Sequence, residues 1–384
     1  MRYARAVYAR RMESGVALKE CDASTRLEDA LRDDDATKDG YAFCGLGARR
    51  RRRRRKRSVK RPMAIVRVRV AGLNPVDAKA LYEDKCPPWT RGAILRAVEG
   101  CGVGFDFSGE VVACDADAGF APGDEVFGCA TPCAGALAQY VEVPVDQMCA
   151  KPADMPHRDA AAIGLVGVTV CQTLDHVHVV RSGCPSPVLV IGASGGVGHI
   201  ATQICASEGG KVFAVCSSKN VEFVESLAPV VVAIPYDDPN APLERALADA
   251  LGSGQRFNLV LDCVTSNLPA DFECRYPERI LAADLLAPGA RYVTFGGKPT
   301  AWAWAHIKRF TGINPPFTRS NCLSWIYFRG CERQLRHLAA EYIAGRVTPT
   351  IAEALPFTEA GVVQGFNALR GRRVVGKLVV VIDE

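Results

Sequence analysis

The first part of the chain alternates apolar and polar residues in a way that is typical of β-strands. Residues 6–21 alternate loosely and predict an opening strand or hairpin. Residues 65–70 carry an apolar side chain at every second position, as a half-buried strand does. Further short strands are predicted at 110–114 and 125–127. We therefore predict a β-rich domain over residues 1–157.

After Pro156 the pattern changes to strands that alternate with helices. An apolar helical stretch at residues 159–174 comes first. Because strand, helix and strand then recur at short spacing, we predict a parallel sheet with helices on both faces. A last helix and strand lie within residues 357–382. The predicted strands of the parallel sheet are 187–191, 211–216, 230–234, 258–263 and 291–295.

Length and composition indicate a globular protein of two domains. The chain has 384 residues, of which 48% are hydrophobic and 23% charged. It contains no charge-free apolar run of about 18 residues, so we expect no membrane span. The first residues lack the apolar core of a secretory signal. Sixteen cysteines without a Cys-x-x-Cys pair indicate reduced thiols in a cytosol-like compartment.

The positive charge belongs to one segment. The formal net charge is +5, but eleven of the 47 basic residues lie between Arg49 and Arg61, and without them the balance is 36 minus 42, or −6. Residues 24–61 lack an apolar pattern, so we expect a disordered insertion. A nuclear-import or RNA-binding tract is the functional alternative. The rest of the chain is mildly acidic and does not favour nucleic acid.

The most specific motif is a glycine turn between a predicted strand and a predicted helix. The strand ends at Ile191, and Gly192-Ala193-Ser194-Gly195-Gly196-Val197-Gly198 leads into the helix at 199–207. Gly195 and Gly196 would let the backbone approach a diphosphate, and Gly198 would let the helix pack on the sheet. Ala193 replaces the usual first glycine. In this context the turn predicts a dinucleotide site, and a tight turn without a ligand is the alternative.

The residues after the next strand favour NADPH over NADH. Cys216 is followed by Ser217, Ser218 and Lys219. An acidic residue here would bind the ribose hydroxyls of NADH, whereas two hydroxyls and an ammonium suit a 2′-phosphate. No carboxylate of this segment opposes the phosphate. Lys219 as an ordinary surface lysine is the alternative.

Zinc ligands are not evident in the sequence. None of the six histidines forms a pair of zinc-binding spacing, and the nearest cysteine pair, Cys129 and Cys133, has no second pair. A Gly-x-Ser-x-Gly motif is also absent. We therefore predict no metal and expect hydride transfer, in which the cofactor supplies the reactivity.

Short motifs in fixed order carry a resemblance to a known family over residues 63–384 and the first twenty or so. The chain resembles the medium-chain dehydrogenase/reductase superfamily, in its zinc-free quinone oxidoreductase branch, and is similar to the reticulon-interacting mitochondrial oxidoreductases. The motifs are residues 71–77 (AGLNPVD), 104–111 (GFDFSGEV), 122–128 (PGDEVFG), 135–141 (GALAQYV), 151–152 (KP), 192–198, 286–293 (LAPGARYV) and 376–380 (GKLVV).

The resemblance implies an α/β fold in which a GroES-like β domain is split between the two ends of the chain. A Rossmann NADPH-binding domain at 158–317 would separate residues 1–157 from a return at 318–384. The zinc ligands of other members would fall at Asn74, Phe105 and about Leu165, none of which binds zinc as a thiolate or imidazole does. The resemblance also implies contacts with the diphosphate from Ser194, Gly196 and Val197, with the 2′-phosphate from Ser217, Lys219 and Tyr236, and with the nicotinamide from Thr169 and the backbone at Phe295 and Gly296.

The function we expect is reduction of a quinone or an α,β-unsaturated carbonyl by NADPH. Asn74 is our candidate for an amide that orients the substrate, and a capped turn before Pro75 is the alternative. Tyr82 is a candidate proton donor by position alone, and water is the alternative donor. The family commonly forms homodimers, so we expect one here.

Three other functions remain open at this stage. They are an enoyl-thioester reductase, a non-catalytic protein that binds NADPH or RNA, and a zinc alcohol dehydrogenase. We expect a cytoplasmic location, because Met1 stands almost at the first predicted strand and leaves no room for a transit peptide. A mitochondrial or plastid location would require further residues before Met1.

Overall fold

The structure is a computed structural model that describes residues 2–8, 16–22, 61–78, 100–131, 134–177, 187–265, 274–296, 321–323 and 330–383. Residues 24–60, which make up almost all of the predicted insertion, and Tyr82 lie outside these residues.

The described strands and helices are numbered in chain order. The strands are β1 (Arg2–Tyr8), β2 (Val16–Asp22), β3 (Met63–Leu73), β4 (Asp106–Cys114), β5 (Glu125–Cys129), β6 (Tyr140–Pro144), β7 (Met148–Ala150), β8 (Pro187–Ile191), β9 (Lys211–Cys216), β10 (Val231–Pro235), β11 (Phe257–Asp262), β12 (Leu286–Thr294), β13 (Asn321–Leu323), β14 (Ile351–Pro356) and β15 (Lys377–Val381). The α-helices are α1 (Pro75–Ala78), α2 (His157–Val177), α3 (Gly198–Ser207), α4 (Val221–Glu225), α5 (Leu243–Leu251), α6 (Tyr276–Ala282), α7 (Glu332–Ile343) and α8 (Glu359–Arg370).

The β-rich part of the chain forms a mainly antiparallel sheet with the order β14-β15-β3-β4-β5-β7, and β6 also pairs with β3. Strand β3 follows the predicted alternation, because Val66, Val68 and Val70 are buried while Arg67 and Arg69 point outward to Glu110. Strand β15 pairs antiparallel with β3. The C-terminal segment therefore completes a sheet that begins some 300 residues earlier.

The second sheet is parallel and has the order β10-β9-β8-β11-β12-β13. Numbered from β8, this is the order 3-2-1-4-5-6 of a doubly wound dinucleotide-binding fold, which confirms the predicted fold class. The predicted strands 187–191 and 211–216 have the predicted bounds. Strand β13 pairs with β12 beyond residue 317, so the parallel sheet continues past the predicted end of the central domain. Strands β1 and β2 form the expected hairpin.

Helix α2 is apolar over most of its length because it packs between the two parts of the fold. Its residues 160–171 are all buried, and it contacts β3, β4 and β5 as well as α3 and α7. A Cβ on Gly164 would lie 3.0 Å from the Gly128 carbonyl oxygen of β5, so the helix needs glycine there to approach the sheet closely. Within the described parts of the chain, no helix is both long and apolar enough to span a membrane.

Two polar side chains of α3 bind the segment that leads into β14. The Gln203 amide accepts a hydrogen bond from the Thr348 nitrogen at 2.8 Å and donates one to the Thr348 oxygen at 3.0 Å. His199 Nε2 accepts from the Thr350 nitrogen at 3.1 Å, so the proton of the neutral ring is on Nδ1, 2.9 Å from the Gly195 oxygen. These bonds fix the helix that follows the glycine turn.

The neutral form of His199 predicts a pH-dependent contribution to stability. Burial lowers the pKa of His199 to about 4, so between pH 6.5 and 4 the unfolded chain binds a proton that the folded chain does not. Stability from this group is therefore complete above pH 6.5 and is lost as the pH falls. Relative to His199→Gln, the wild type should lose roughly 1–2 kcal/mol of unfolding free energy between pH 6.5 and 5, measured by urea unfolding. Parallel pH profiles would contradict the assignment.

Candidate active site

The glycine turn lies at the carboxyl end of β8, next to β11. This is the point at which the strand order reverses, where dinucleotides bind in folds of this type. Gly192 has a φ of +80°, and its carbonyl accepts a hydrogen bond from the Gly195 nitrogen at 3.0 Å. A Cβ on Gly198 would overlap that carbonyl, whereas a Cβ on Gly195 would stay 3.4 Å from it. Gly198 thus serves packing, and Gly195 leaves space in front of the turn.

The start of α3 suits an anion. Val197 is the N-cap residue, and its apolar side chain cannot accept a hydrogen bond from the first N–H groups of the helix. These donors and the helix dipole favour a phosphate at this point. The Gly192 and Ala193 nitrogens bond to the Val215 oxygen, and Asn220 donates to the Ser194 hydroxyl at 3.1 Å. Hydrogen bonds therefore join the turn to the end of β9 and to the segment that follows it.

The turn also contacts β15 of the other sheet. The Gly376 nitrogen donates to the Ser194 oxygen at 2.9 Å, and a Cβ on Gly196 would lie 3.2 Å from Cδ of Lys377. The stem of Lys377 thus lies against the turn, while its ammonium reaches the end of β3.

A buried polar cluster, here called the Lys377 cluster, surrounds that ammonium and consists of Asn74, Asp77, Asp106 and Lys377. Lys377 Nζ lies 2.6 Å from Asn74 Oδ1 and 3.1 Å from both Asp106 Oδ2 and the Leu73 oxygen. Lys377 is 3% exposed and Asp106 is fully buried. Asp106 also accepts a hydrogen bond from the Leu165 nitrogen of α2. The cluster therefore joins β3, β4, β15 and α2.

Asn74 lies within this cluster. Its Nδ2 donates to Asp106 Oδ2 at 2.8 Å while its Oδ1 accepts from Lys377, so both ends of the amide are already bound. The turn before Pro75 is present as well, because the Asn74 nitrogen donates to Asp77 Oδ2 at 2.7 Å. The side chain is 3% exposed, and its remaining N–H is the group that could still meet a substrate. The substrate-orienting role stays a prediction.

Asp77 removes one negative charge from the cluster by holding a proton. Complete burial raises the pKa of Asp77 to about 8, so this carboxyl is mostly protonated at neutral pH. The charges that remain are the Asp106 carboxylate and the Lys377 ammonium, which form an ion pair. The cluster is then neutral as a whole, which reduces the cost of burying it.

The adenosine end of the candidate coenzyme site includes a carboxylate from a second strand end. Ser217 is buried and Ser218 is exposed. The backbone nitrogen and the hydroxyl of Ser218 both donate to Asp237 Oδ1 at 2.7 Å. The segment after β9 carries no carboxylate of its own, but Asp237 follows β10, and β10 pairs with β9 in parallel and brings this carboxylate beside Ser218. Tyr236 is 44% exposed beside it, and Lys219 is exposed.

The remaining predicted residues lie along the same edge of the sheet or beside the cluster. Phe295 and Gly296 follow β12, whose carboxyl end adjoins that of β11, and the Phe295 nitrogen donates to the Asp262 oxygen at 3.3 Å. Thr169 is 7% exposed on α2, and its hydroxyl donates to the Leu165 oxygen at 2.6 Å. The structure brings Ser194, Gly195, Gly196, Val197, Gly198, Ser217, Phe295 and Gly296 to one edge of the parallel sheet.

Three other residues form a hydrogen-bonded chain that looks like a hydrolase triad. Ser108 Oγ lies 2.8 Å from His157 Nδ1, and His157 Nε2 lies 3.2 Å from Glu125 Oε1. Ser108 is completely buried, so no substrate can reach its hydroxyl. Burial also lowers the pKa of His157. We therefore interpret this chain as packing at the start of α2.

Comparisons with known proteins agree with this geometry. Residues 61–153 match the alcohol dehydrogenase GroES-like domain, and residues 237–380 match the zinc-binding dehydrogenase family. The mitochondrial NAD(P)H oxidoreductase RTN4IP1 of Danio rerio is 26% identical over 347 residues, covering 83% of this chain and 84% of the relative. The trans-enoyl reductase pgmF of Aspergillus terreus is 28% identical over 331 residues, covering 83% and 86%. The quinone oxidoreductase structure from Coxiella burnetii shares the fold, with 20% identity, a TM-score of 0.67 and 99% of both chains covered.

The fold and the site define an oxidoreductase with a GroES-like domain and a parallel nucleotide-binding sheet. The chain belongs to the medium-chain dehydrogenase/reductase superfamily.

Sequence reasoning missed Asp77, Asp106 and Lys377 as members of a site. Each stands inside a motif that the resemblance used only as a landmark, and Lys377 is separated from Asn74 by 303 residues. Each segment did contain a signal, namely a charged residue within an otherwise apolar strand or turn. Such a residue needs a buried partner, because an unpaired buried charge is costly.

The glycine turn predicts different outcomes for two substitutions. Gly195→Asp places a carboxylate where the turn is open and should abolish coenzyme binding, with a melting temperature within a few degrees of wild type. Gly198→Ala forces a Cβ onto the Gly192 oxygen and should lower the melting temperature. Titration with NADPH by fluorescence and thermal unfolding measure the two effects. Normal binding by Gly195→Asp would remove the turn from the site.

The Lys377 cluster predicts a large loss of stability when one charge is removed. Lys377→Met leaves the Asp106 carboxylate buried without its partner and should cost roughly 3–5 kcal/mol of unfolding free energy in urea. Lys377→Met with Asp106→Asn removes that charge and should recover much of the loss. Arg336→Met, in the exposed pair with Glu332, is the control and should cost less than about 1 kcal/mol. Equal losses in the single and double variants would contradict the argument.

Proposed function

We propose that this protein reduces a quinone or an α,β-unsaturated carbonyl with NADPH and without zinc. The observation that carries the proposal is the position of the Lys377 cluster, which adjoins the glycine turn and holds the Asn74 amide, bound to the Lys377 ammonium, where the resemblance would place a zinc ligand. Bound coenzyme would supply a hydride, and the residues of the chain would supply position and charge.

The glycine turn supports a nicotinamide coenzyme. The open face of Gly195, the backbone donors at the start of α3 and the adjoining end of β9 together make a cradle for a diphosphate with an adenosine on one side. RTN4IP1 of Danio rerio is an NAD(P)H oxidoreductase by name. Ser217, Lys219 and Tyr236 are the groups that would bind a 2′-phosphate, which is why we propose NADPH.

The residue types do not suit zinc. Of the three positions where zinc ligands would fall, Phe105 and Leu165 have no donor atom, and the Asn74 amide is bound to Lys377 and Asp106. Within the described parts of the chain, no group of three His, Cys, Asp or Glu side chains is arranged to hold a metal ion. The match to a family described as zinc-binding therefore supports the fold, and we derive no step through zinc.

This site would select an electron-poor acceptor. Because the proposed chemistry has no Lewis acid to polarise an ordinary carbonyl, the acceptor must already stabilise added electron density, as quinones and conjugated carbonyls do. Alignment of two planar molecules in the crevice would supply much of the rate. The second candidate substrate is an enoyl thioester, which is also a conjugated carbonyl, and the similarity to pgmF, a trans-enoyl reductase, favours it.

The proposal predicts NADPH oxidation that depends on a conjugated acceptor. Purified protein should lower the absorbance at 340 nm with NADPH and an ortho-quinone, and Gly195→Asp should not. Activity should survive dialysis against a zinc chelator. Turnover with crotonyl-CoA and none with quinones would move the function to enoyl-thioester reduction. Coenzyme binding without turnover on either acceptor would contradict a reductase of this kind, and loss of activity on zinc removal would contradict the zinc-free chemistry.

A further inference from the structure

The end of β10 contributes a carboxylate to the adenosine side of the candidate coenzyme site. Asp237 Oδ1 accepts hydrogen bonds from the nitrogen and the hydroxyl of Ser218, both at 2.7 Å. Ser218 lies two residues after the end of β9, and the Tyr236 nitrogen bonds to the Cys216 oxygen at 2.9 Å. The two strand ends therefore form one surface that exposes Ser218, Tyr236 and Asp237, with the buried Ser217 next to Ser218 in the chain.

This surface continues into the glycine turn. Asn220 follows Ser218 by two residues and donates to the Ser194 hydroxyl within the turn. The Gly192 and Ala193 nitrogens bond to Val215 of β9. A dinucleotide whose diphosphate occupies the turn must therefore place its adenosine ribose next to Ser217 and Ser218.

The hydrogen bonds to Asp237 oppose a phosphate in two ways. Both donors of Ser218 are already bound, so a 2′-phosphate would have to displace a carboxylate to use them. The same bonds lower the pKa of Asp237, which keeps the side chain negative at neutral pH. Like charges at close range repel, and a phosphate carries up to two. A ribose 2′-hydroxyl, in contrast, can donate a hydrogen bond to a carboxylate.

We propose that Asp237 is a specificity-determining residue that restrains the preference for NADPH and admits NADH. In many dinucleotide-binding folds the acidic residue that binds the ribose ends the second strand. Here Cys216 ends that strand, and the neighbouring strand brings the carboxylate to the same place. Ser217, Lys219 and Tyr236 favour the phosphate, Asp237 favours the hydroxyl, and the ratio of coenzyme affinities reflects their balance. This inference rests on the proposed coenzyme site.

The test is the ratio of NADPH and NADH dissociation constants in the full-length protein, measured by fluorescence titration. Asp237→Asn keeps the size of the side chain and removes its charge, so it should raise the NADPH-to-NADH affinity ratio by about fivefold or more. Asp237→Glu keeps the charge and should change the ratio less. Asp238→Asn is the matched control, because it makes the same change of net charge one residue away, where the side chain bonds to the Asn240 nitrogen instead.

The outcomes separate this inference from the proposed function. A ratio that rises in Asp237→Asn but not in Asp238→Asn supports the role of Asp237. A ratio that stays at the wild-type value, or that rises equally in both variants, overturns it while leaving the coenzyme site in place. Wild-type protein that binds neither NADPH nor NADH overturns the proposed function and this inference with it. Competition by 2′,5′-ADP should follow the NADPH result, since that probe carries the phosphate without the nicotinamide.

Discussion

The ion pair between Lys377 and Asp106 is the interaction on which the packing of α2 against the antiparallel sheet depends. Both side chains are almost completely buried, and a buried ion pair is costly unless all of its partners are in place. Those partners come from four elements: Asn74 after β3, Asp106 on β4, Leu165 on α2 and Lys377 on β15. A shift of any one element leaves a charge without a partner. We therefore infer that the ion pair mainly fixes the register of these elements and adds little net stability.

The same lysine connects the antiparallel sheet to the glycine turn. The stem of Lys377 lies against Gly196, and the preceding Gly376 bonds to Ser194. The backbone nitrogen of Lys377 bonds to the Thr350 oxygen. Thr350 in turn donates to His199 of α3. The turn is thus held in place by backbone hydrogen bonds and by contacts with buried side chains. A crevice built in this way presents a preorganised site for a dinucleotide, which reduces the entropy cost of binding.

The pattern of apolar residues predicted the fold well because each parallel strand is a short, continuous apolar run in the sequence. Strands β8 and β9 have the predicted bounds, and the glycine turn lies where strand and helix periodicity meet. Strand β13 was missed because three residues are too few for a pattern. The Lys377 cluster and the contact of Asp237 with Ser218 were missed because their partners are distant in sequence or follow different strands. Asn74 was singled out from its own segment, but its neighbours were not foreseeable from that segment.

The Lys377 cluster and the pair of Ser218 and Asp237 differ in burial, so a change of charge affects them differently. The Lys377 cluster is shielded from water, so a change of charge there acts on folding as well as on the site. Ser218 and Asp237 are exposed, so water and salt screen them and a change of charge there costs the fold little. Under the proposed function, substitution at the exposed pair would therefore change the response to a 2′-phosphate without disturbing the buried cluster. The glycine turn makes this possible, because it contacts the stem of Lys377 on one side and, through Asn220, the segment that follows β9 on the other.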